Sequence, residues 1–147
     1  MRHGKTEEVK VDDFSRNLIE ERLKENQIKI NALKMKLACS IDVIIHSAAN
    51  RTSQTAQMAA KYLNVSRLLS SDKMYMGSVD DYLEEVYVVD DKHDTIMLIG
   101  HNPTVTTMVY QFDPMLQTYL RTSEIVVVDL DIEKWENIDR AKKIRYV

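Results

Sequence analysis

The chain has 147 residues, 44% hydrophobic and 29% charged, with a formal charge of −3; that length suits a single domain over 1–147 with a real core, and the charge excludes the global basic field of a nucleic-acid partner. Its one cysteine, Cys39, excludes an intrachain disulfide framework and suits a reducing, cytoplasmic setting. No apolar run approaches the roughly 20 residues of a membrane span and no apolar leader is visible, so no membrane partner is expected.

Residues 12 to 38 are predicted helical, because Phe14, Leu18, Leu23, Ile30, Leu33 and Leu37 keep a near-helical spacing among Glu, Lys and Asn, with Asn26 a candidate break. Ile41 to His46 is a compact apolar strand. Ser47 follows as an N-cap, and a helix rich in Ala runs over 48 to 63, closed by Asn64. Leu68 to Ser70 is a short strand. Val79 to Val89 is a helix, opened by Ser78 and by acidic residues in its first turn. Thr95 to Ile99 is a second buried strand. Asn102-Pro103 starts a helix that runs to about Phe112, with Asn as cap and Pro in the first turn. Ile125 to Leu130 and Lys143 to Val147 are further strands. Strands alternating with helices give an α/β layered domain, and three glycines and two prolines imply short loops.

Three islands stand out. They are Arg2-His3-Gly4, Ser47-Ala48-Ala49-Asn50-Arg51 with Thr55, and Gly100-His101-Asn102-Pro103. The second and third each follow a strand-like apolar run, and open α/β sheets bind ligands beyond the carboxyl ends of their strands. The first island would need a preceding strand to be placed in the same way, and only Met1 precedes it. Loss of such a strand would expose unpaired backbone on its neighbours.

The residue types suit a phosphoryl group in transfer. Neutral imidazole is nucleophilic near pH 7. Nearby arginines keep it neutral and bind phosphoryl oxygens through planar forked donors. Helices starting near Ser47 and Pro103 add anion-friendly N-termini, with Arg51 leaning back toward the first of them. This scheme needs no metal and no cofactor, and the sequence has no HExxH, no Cys/His ligand cluster and no Walker loop. His46 is read as structural, His93 as a solvated loop residue, and Met74, Met76 and Met97 as packing.

Read together, the islands resemble the histidine phosphatase superfamily, whose fold is phosphoglycerate mutase-like: an RHG motif, an S-x-x-x-R-x-x-Q-T segment matched by Ser47, Arg51, Gln54 and Thr55, and a G-H-x-P segment. Short length and the Gly-His-Asn-Pro form are most similar to SixA-type phosphohistidine phosphatases. Arg16-Asn17-Leu18 resembles an R-P-L stretch of that subgroup, and Thr122-Ser123 a T-S before its late strand. Arg22 departs from it, standing where the subgroup often has glycine.

The resemblance implies a three-layer α/β/α sandwich with a mostly parallel sheet, its first strand missing or upstream of Met1. It implies His3 as the phosphorylated nucleophile. Arg2, Arg51 and His101 would be the phosphate-binding and catalytic partners, Ser47 and Asn102 supporting phosphate-binding groups, and Lys5 a rim residue. The implied substrate is phosphohistidine on a signalling or phosphotransfer protein.

Two rivals remain. One is a small-molecule phosphomonoesterase acting on a small phosphorylated substrate. It needs a general acid, for which Asp80, Asp81, Glu84 and Glu85 lie in the right region but read as helix-surface acids. The other is a non-catalytic module that binds phosphorylated partners. Short loops leave little material for a lid, and an open site admits a side chain of another protein.

Overall fold

The computed structural model describes residues 1–8, 12–115, 119–141 and, as backbone, 143–146. Strand β1 (Val43–Ser47) is central and buried along its whole length. It pairs in parallel with β2 (Arg67–Ser71) on one side and β3 (Ile96–Ile99) on the other. An unbroken apolar run such as Val43-Ile44-Ile45 belongs in a sheet covered on both faces. Val43 and Ile45 pack with Tyr82, Leu83 and Val86 of helix α3 (Val79–Tyr87) and with Val105, Met108 and Val109 of α4 (Thr104–Phe112). Ile44 packs on the opposite face with Ile30 and Leu33 of α1 (Leu23–Lys36) and with Ala56 and Ala59 of α2 (Asn50–Leu63). The result is the expected three-layer α/β/α arrangement around a parallel sheet.

Several boundaries differ from the sequence-based expectation. The first helix starts at Leu23, after a 3₁₀ turn over Glu20–Arg22, and not at residue 12. The Asp12 carboxylate accepts from the amides of Phe14 and Ser15, and such local bonds compete with helix. Asn26 does not break α1. It lies buried within it, accepting a hydrogen bond from the Ser123 hydroxyl. Ser47 ends β1 and does not cap α2, which begins at Asn50. Asn64 closes α2 in the left-handed conformation at φ 58°, and Ser78 opens α3 through a reciprocal capping box with Asp81. Pro103 occupies the N-cap of α4, behind a cis Asn102–Pro103 bond, and the Asn102 side chain does not cap.

The strand expected over 125 to 130 is reduced to β4 (Val128–Leu130), antiparallel to β5 (Lys143–Tyr146); Val147 lies outside the described residues. Residues 1–3 lie along the edge of β3. Met1 to His3 continue the parallel ladder there: the Met1 amine donates to Leu98 O at 2.7 Å, Gly100 N to Met1 O at 3.1 Å and His3 N to Gly100 O at 3.1 Å. Arg2 N also donates to Glu124 O at 3.1 Å, and Ser123 N to Arg2 O at 3.2 Å. Arg2 and His3 are thus wedged between the end of β3 and residues 123–124. Below them an apolar cavity of about 180 Å³, lined by Met1, Leu33, Leu98, Ile125 and Val127 among others, separates β3 from the 125–128 segment.

Among the described residues, no helix is long and apolar enough to cross a membrane.

Candidate active site

The three islands meet at the carboxyl end of the sheet. Arg2, His3, Arg51, His101 and Asn102 line one open cleft of about 630 Å³, together with Asp13, Arg16, Tyr75 and Tyr82. The His3 and His101 rings lie 5.3 Å apart, tilted by 55°. Both rings are buried, as is Arg51.

Each side chain has a local reason for its position. Gly4 N donates to Thr55 Oγ1 at 3.1 Å, and Thr55 Oγ1 donates to Arg51 O at 2.6 Å, so one hydroxyl ties the first island to the first turns of α2. Gln54 accepts from Leu18 N at 2.8 Å and pins the 12–19 loop against the same helix. These two contacts explain why Gln and Thr follow Arg51 at a spacing of three and four. Gly100 is needed for close approach: a Cβ there would fall 2.2 Å from Tyr82 Oη. That hydroxyl accepts from His101 N at 3.2 Å and donates to Met74 O at 3.1 Å, fixing the backbone that carries His101.

The tautomer of His3 follows from its partner. Nδ1 lies 2.7 Å from Gly4 O, and a carbonyl can only accept, so Nδ1 holds the proton and Nε2 presents its lone pair. Burial, above all, lowers His3 to about 4; the bond to Gly4 resists, and Arg51 and Arg2 add to the fall. His101 falls to about 3, first from burial and then from Arg51. Both rings are therefore neutral near pH 7.

Ser47 sits one step back from the cleft, with its Oγ 2.8 Å from His101 Nε2. The Asn102 amide donates to Leu120 O at 2.7 Å and accepts from Thr106 Oγ1 at 2.8 Å, so both its ends are engaged in shaping the cleft wall. Arg2 donates to the same Leu120 carbonyl through Nη1 at 2.9 Å. Lys5 is exposed and not among the lining residues.

Five buried side-chain nitrogens or oxygens have no protein partner among the described residues. Four of them, Arg2 Nε, Arg16 Nε, Arg51 Nε and His101 Nδ1, belong to residues lining this cleft; the fifth is His93 Nε2. Buried polar groups are ordinarily satisfied, so a concentration of orphans marks a site shaped for a ligand rich in acceptors. His93 itself is not the solvated residue expected. It is half-buried, and its carbonyl accepts from Trp135 Nε1 at 2.7 Å. His46 is buried in β1, Met74 and Met97 are core, and Met76 is exposed.

Sequence reasoning missed Asp13 and Tyr75, and singled out Arg16 only within the R-P-L-like stretch, with no role at the site. The Asp13 carbonyl accepts from Arg51 Nη1 at 2.5 Å; its Oδ2 accepts from Arg51 Nη2 at 2.9 Å and from the Tyr75 hydroxyl at 3.1 Å. Arg16 Nη2 lies 3.0 Å from the other carboxylate oxygen. Burial pushes the Asp13 carboxyl up, but Arg51, Tyr75 and Arg16 together hold it below the usual carboxylate range. For Asp13 the signal in the sequence was an acid three residues before Arg16 of that stretch, inside a segment that read as helix.

Asp80, Asp81, Glu84 and Glu85 do not line the cleft. Asp81 caps α3, Glu84 pairs with Lys73, and Glu85 accepts from Ser71. No group of three or more His, Cys, Asp or Glu among the described residues is placed to hold a metal.

No family model matches the chain, and no curated protein sequence matches it. Solved structures do. A protein assigned as a SixA phosphohistidine phosphatase from Nakamurella multipartitia superposes with TM-score 0.78 at 23% identity, over 100% of this chain and 92% of that one. The protein histidine phosphatase SixA complexed with tungstate gives 0.78 at 19% identity, over 100% and 93%. A phosphoglycerate mutase from Plasmodium falciparum gives 0.59 at 19% identity, over 97% and 83%. With its parallel β2-β1-β3 sheet, its flanking helices and these neighbours, the chain has a phosphoglycerate mutase-like α/β fold, similar to that of the SixA structures.

Proposed function

We propose that this chain is a phosphatase working through a phosphohistidine intermediate on His3, and that its substrate is phosphohistidine on a signalling or phosphotransfer protein of the cytoplasm. The observation that carries this reading is the single cleft holding a neutral His3, its bare Nε2, and unpartnered donors on Arg2, Arg51 and His101. His3 Nε2 attacks phosphorus. Arg2, Arg51 and His101 receive the charge that spreads over the phosphoryl oxygens, acting as donors already in place when that charge develops. Water then attacks the phosphoryl group on His3 and returns it as inorganic phosphate. Ser47 orients His101 through its 2.8 Å contact, and Asn102 shapes the wall beside Arg2. None of these steps calls on a metal or a cofactor.

A protein-borne substrate fits the open cleft, since the acids that would serve an ester's leaving group lie elsewhere and Asp13 is held ionised. Breaking a P–O bond profits from a proton donor; an imidazole leaving group that already carries its proton does not need one.

The test is a paired assay of wild type and His3→Ala on a phosphorylated histidine protein and on an aryl phosphate, with acid-quenched enzyme examined for phosphate on His3. Turnover by the wild type that His3→Ala abolishes, a phosphorylated His3, and competition by tungstate are expected. Tight phosphate binding without turnover would instead identify a phospho-partner binding module.

A further inference from the structure

Asp13 is a carboxylate at the mouth of a cleft built for an anion, and that is a paradox to be explained. Its side chain is 42% exposed, whereas that of its partner Arg51 is 6% exposed. The loop that carries it is held at several points: Asp12 accepts from Phe14 N and Ser15 N, Asn50 N donates to Phe14 O, and Ile19 N donates to Lys5 O. When a phosphoryl group claims Arg51 Nη2, only the Asp13 carboxylate needs to turn, while the Asp13 carbonyl keeps its bond from Nη1. Tyr75 and Arg16 remain at hand to keep it at the mouth and ionised.

Building on the function proposed above, we propose that Asp13 selects P–N over P–O substrates: displaced from Arg51 by the phosphoryl group, its carboxylate accepts the ring N–H of the bound phosphohistidine. A phosphohistidine ring bearing the phosphoryl group on one nitrogen and hydrogen on the other is cationic, and an adjacent anion favours that form. The His3 Nε2 lone pair forms the new N–P bond. The electron pair of the old P–N bond goes to the substrate nitrogen. The ring departs as neutral imidazole, its proton still on the far nitrogen, with Asp13 holding the proton but not taking it. The leaving ring belongs to another protein and must stand on the solvent side, where Asp13 is. An ester offers no such N–H, and its leaving oxygen gains negative charge, which the same carboxylate repels. Asp13 thereby lowers one barrier and raises the other.

The test compares Asp13→Asn and Asp13→Glu with wild type on a phosphorylated histidine protein and on an aryl phosphate, with tungstate affinity measured alongside. For Asp13→Asn, kcat/KM on the phosphohistidine protein should fall about tenfold or more, while the aryl phosphate rate rises and tungstate binds more tightly, because Arg51 no longer shares its donors with an anion. Asp13→Glu should retain most of the P–N preference. Equal losses on both substrates, or weaker tungstate binding, would overturn the proposal and leave Asp13 as a brace for Arg51. A wild type that turns over neither substrate and forms no phosphorylated His3 would instead overturn the proposed function itself.

Discussion

Two spaces in the molecule behave oppositely. The cleft at the carboxyl end of the sheet is lined by Arg2, His3, Arg51 and His101 and keeps polar nitrogens without partners. The cavity beside β3 is lined by Leu33, Leu98, Ile125 and similar residues and offers packing alone. The first stores unsatisfied hydrogen-bonding capacity for a ligand; the second offers apolar contact and no hydrogen-bonding capacity. Stability and function are therefore separable here: substitutions in the cleft should alter turnover with small effects on folding, and those around the cavity should do the reverse.

The sharpest check on that division is His3→Ala, which should lower turnover by about 10⁴-fold or more in steady-state assays while leaving the thermal midpoint near that of wild type. Arg51→Ala should lower kcat by about two orders of magnitude, as expected for a lost oxyanion donor; a tenfold effect or less would make Arg51 peripheral. On the other side, Leu33→Ala should cost about 2–4 kcal/mol in denaturant unfolding, because it enlarges a space that is already poorly filled, and should leave kcat unchanged. A kcat change would mean that the cavity and the cleft communicate.

Gly100 is where the division should break. It lies between His101 and the end of β3, and its added Cβ would strike the Tyr82 hydroxyl. Gly100→Ala should destabilise by about 1–3 kcal/mol and reduce turnover together, with Tyr82→Phe partly relieving the clash in the double variant.

The smallest effect is the pH dependence of stability. His3 and His101 fall to about 4 and about 3 in the folded chain, below the ordinary 6.5 of the unfolded one. Between about pH 6.5 and 4 the unfolded chain binds more protons than the native one, so stability rises with pH across that window and is lost as pH falls through it. Unfolding curves in that range should show this slope, and replacing both rings by Gln should flatten it.

Gly100 and Asp13 also mark how far the sequence could be read. Gly100-His101 stood out as a motif after an apolar run, and its place at a strand end was legible, yet nothing in the sequence announced Tyr82 beneath it. Asp13 was invisible for a different reason. Phe14 and Leu18 fitted a helical period, so the 12–19 segment read as helix, whereas the Asp12 side chain bonds to its own backbone and the segment folds as a loop over Arg51. Ser47 looked like a cap because a hydroxyl followed a strand. Its hydroxyl instead meets His101, and α2 starts three residues later.

By itself the sequence determined the layered α/β class and the strand-end position of the second and third islands, because apolar period and turn chemistry are local properties. Tertiary structure alone decided that His3 carries its proton on Nδ1, that Arg51 is shared with Asp13, and that an apolar cavity lies beside β3. Those depend on groups brought together from distant parts of the chain, and no local pattern encodes a contact between residues 13 and 51.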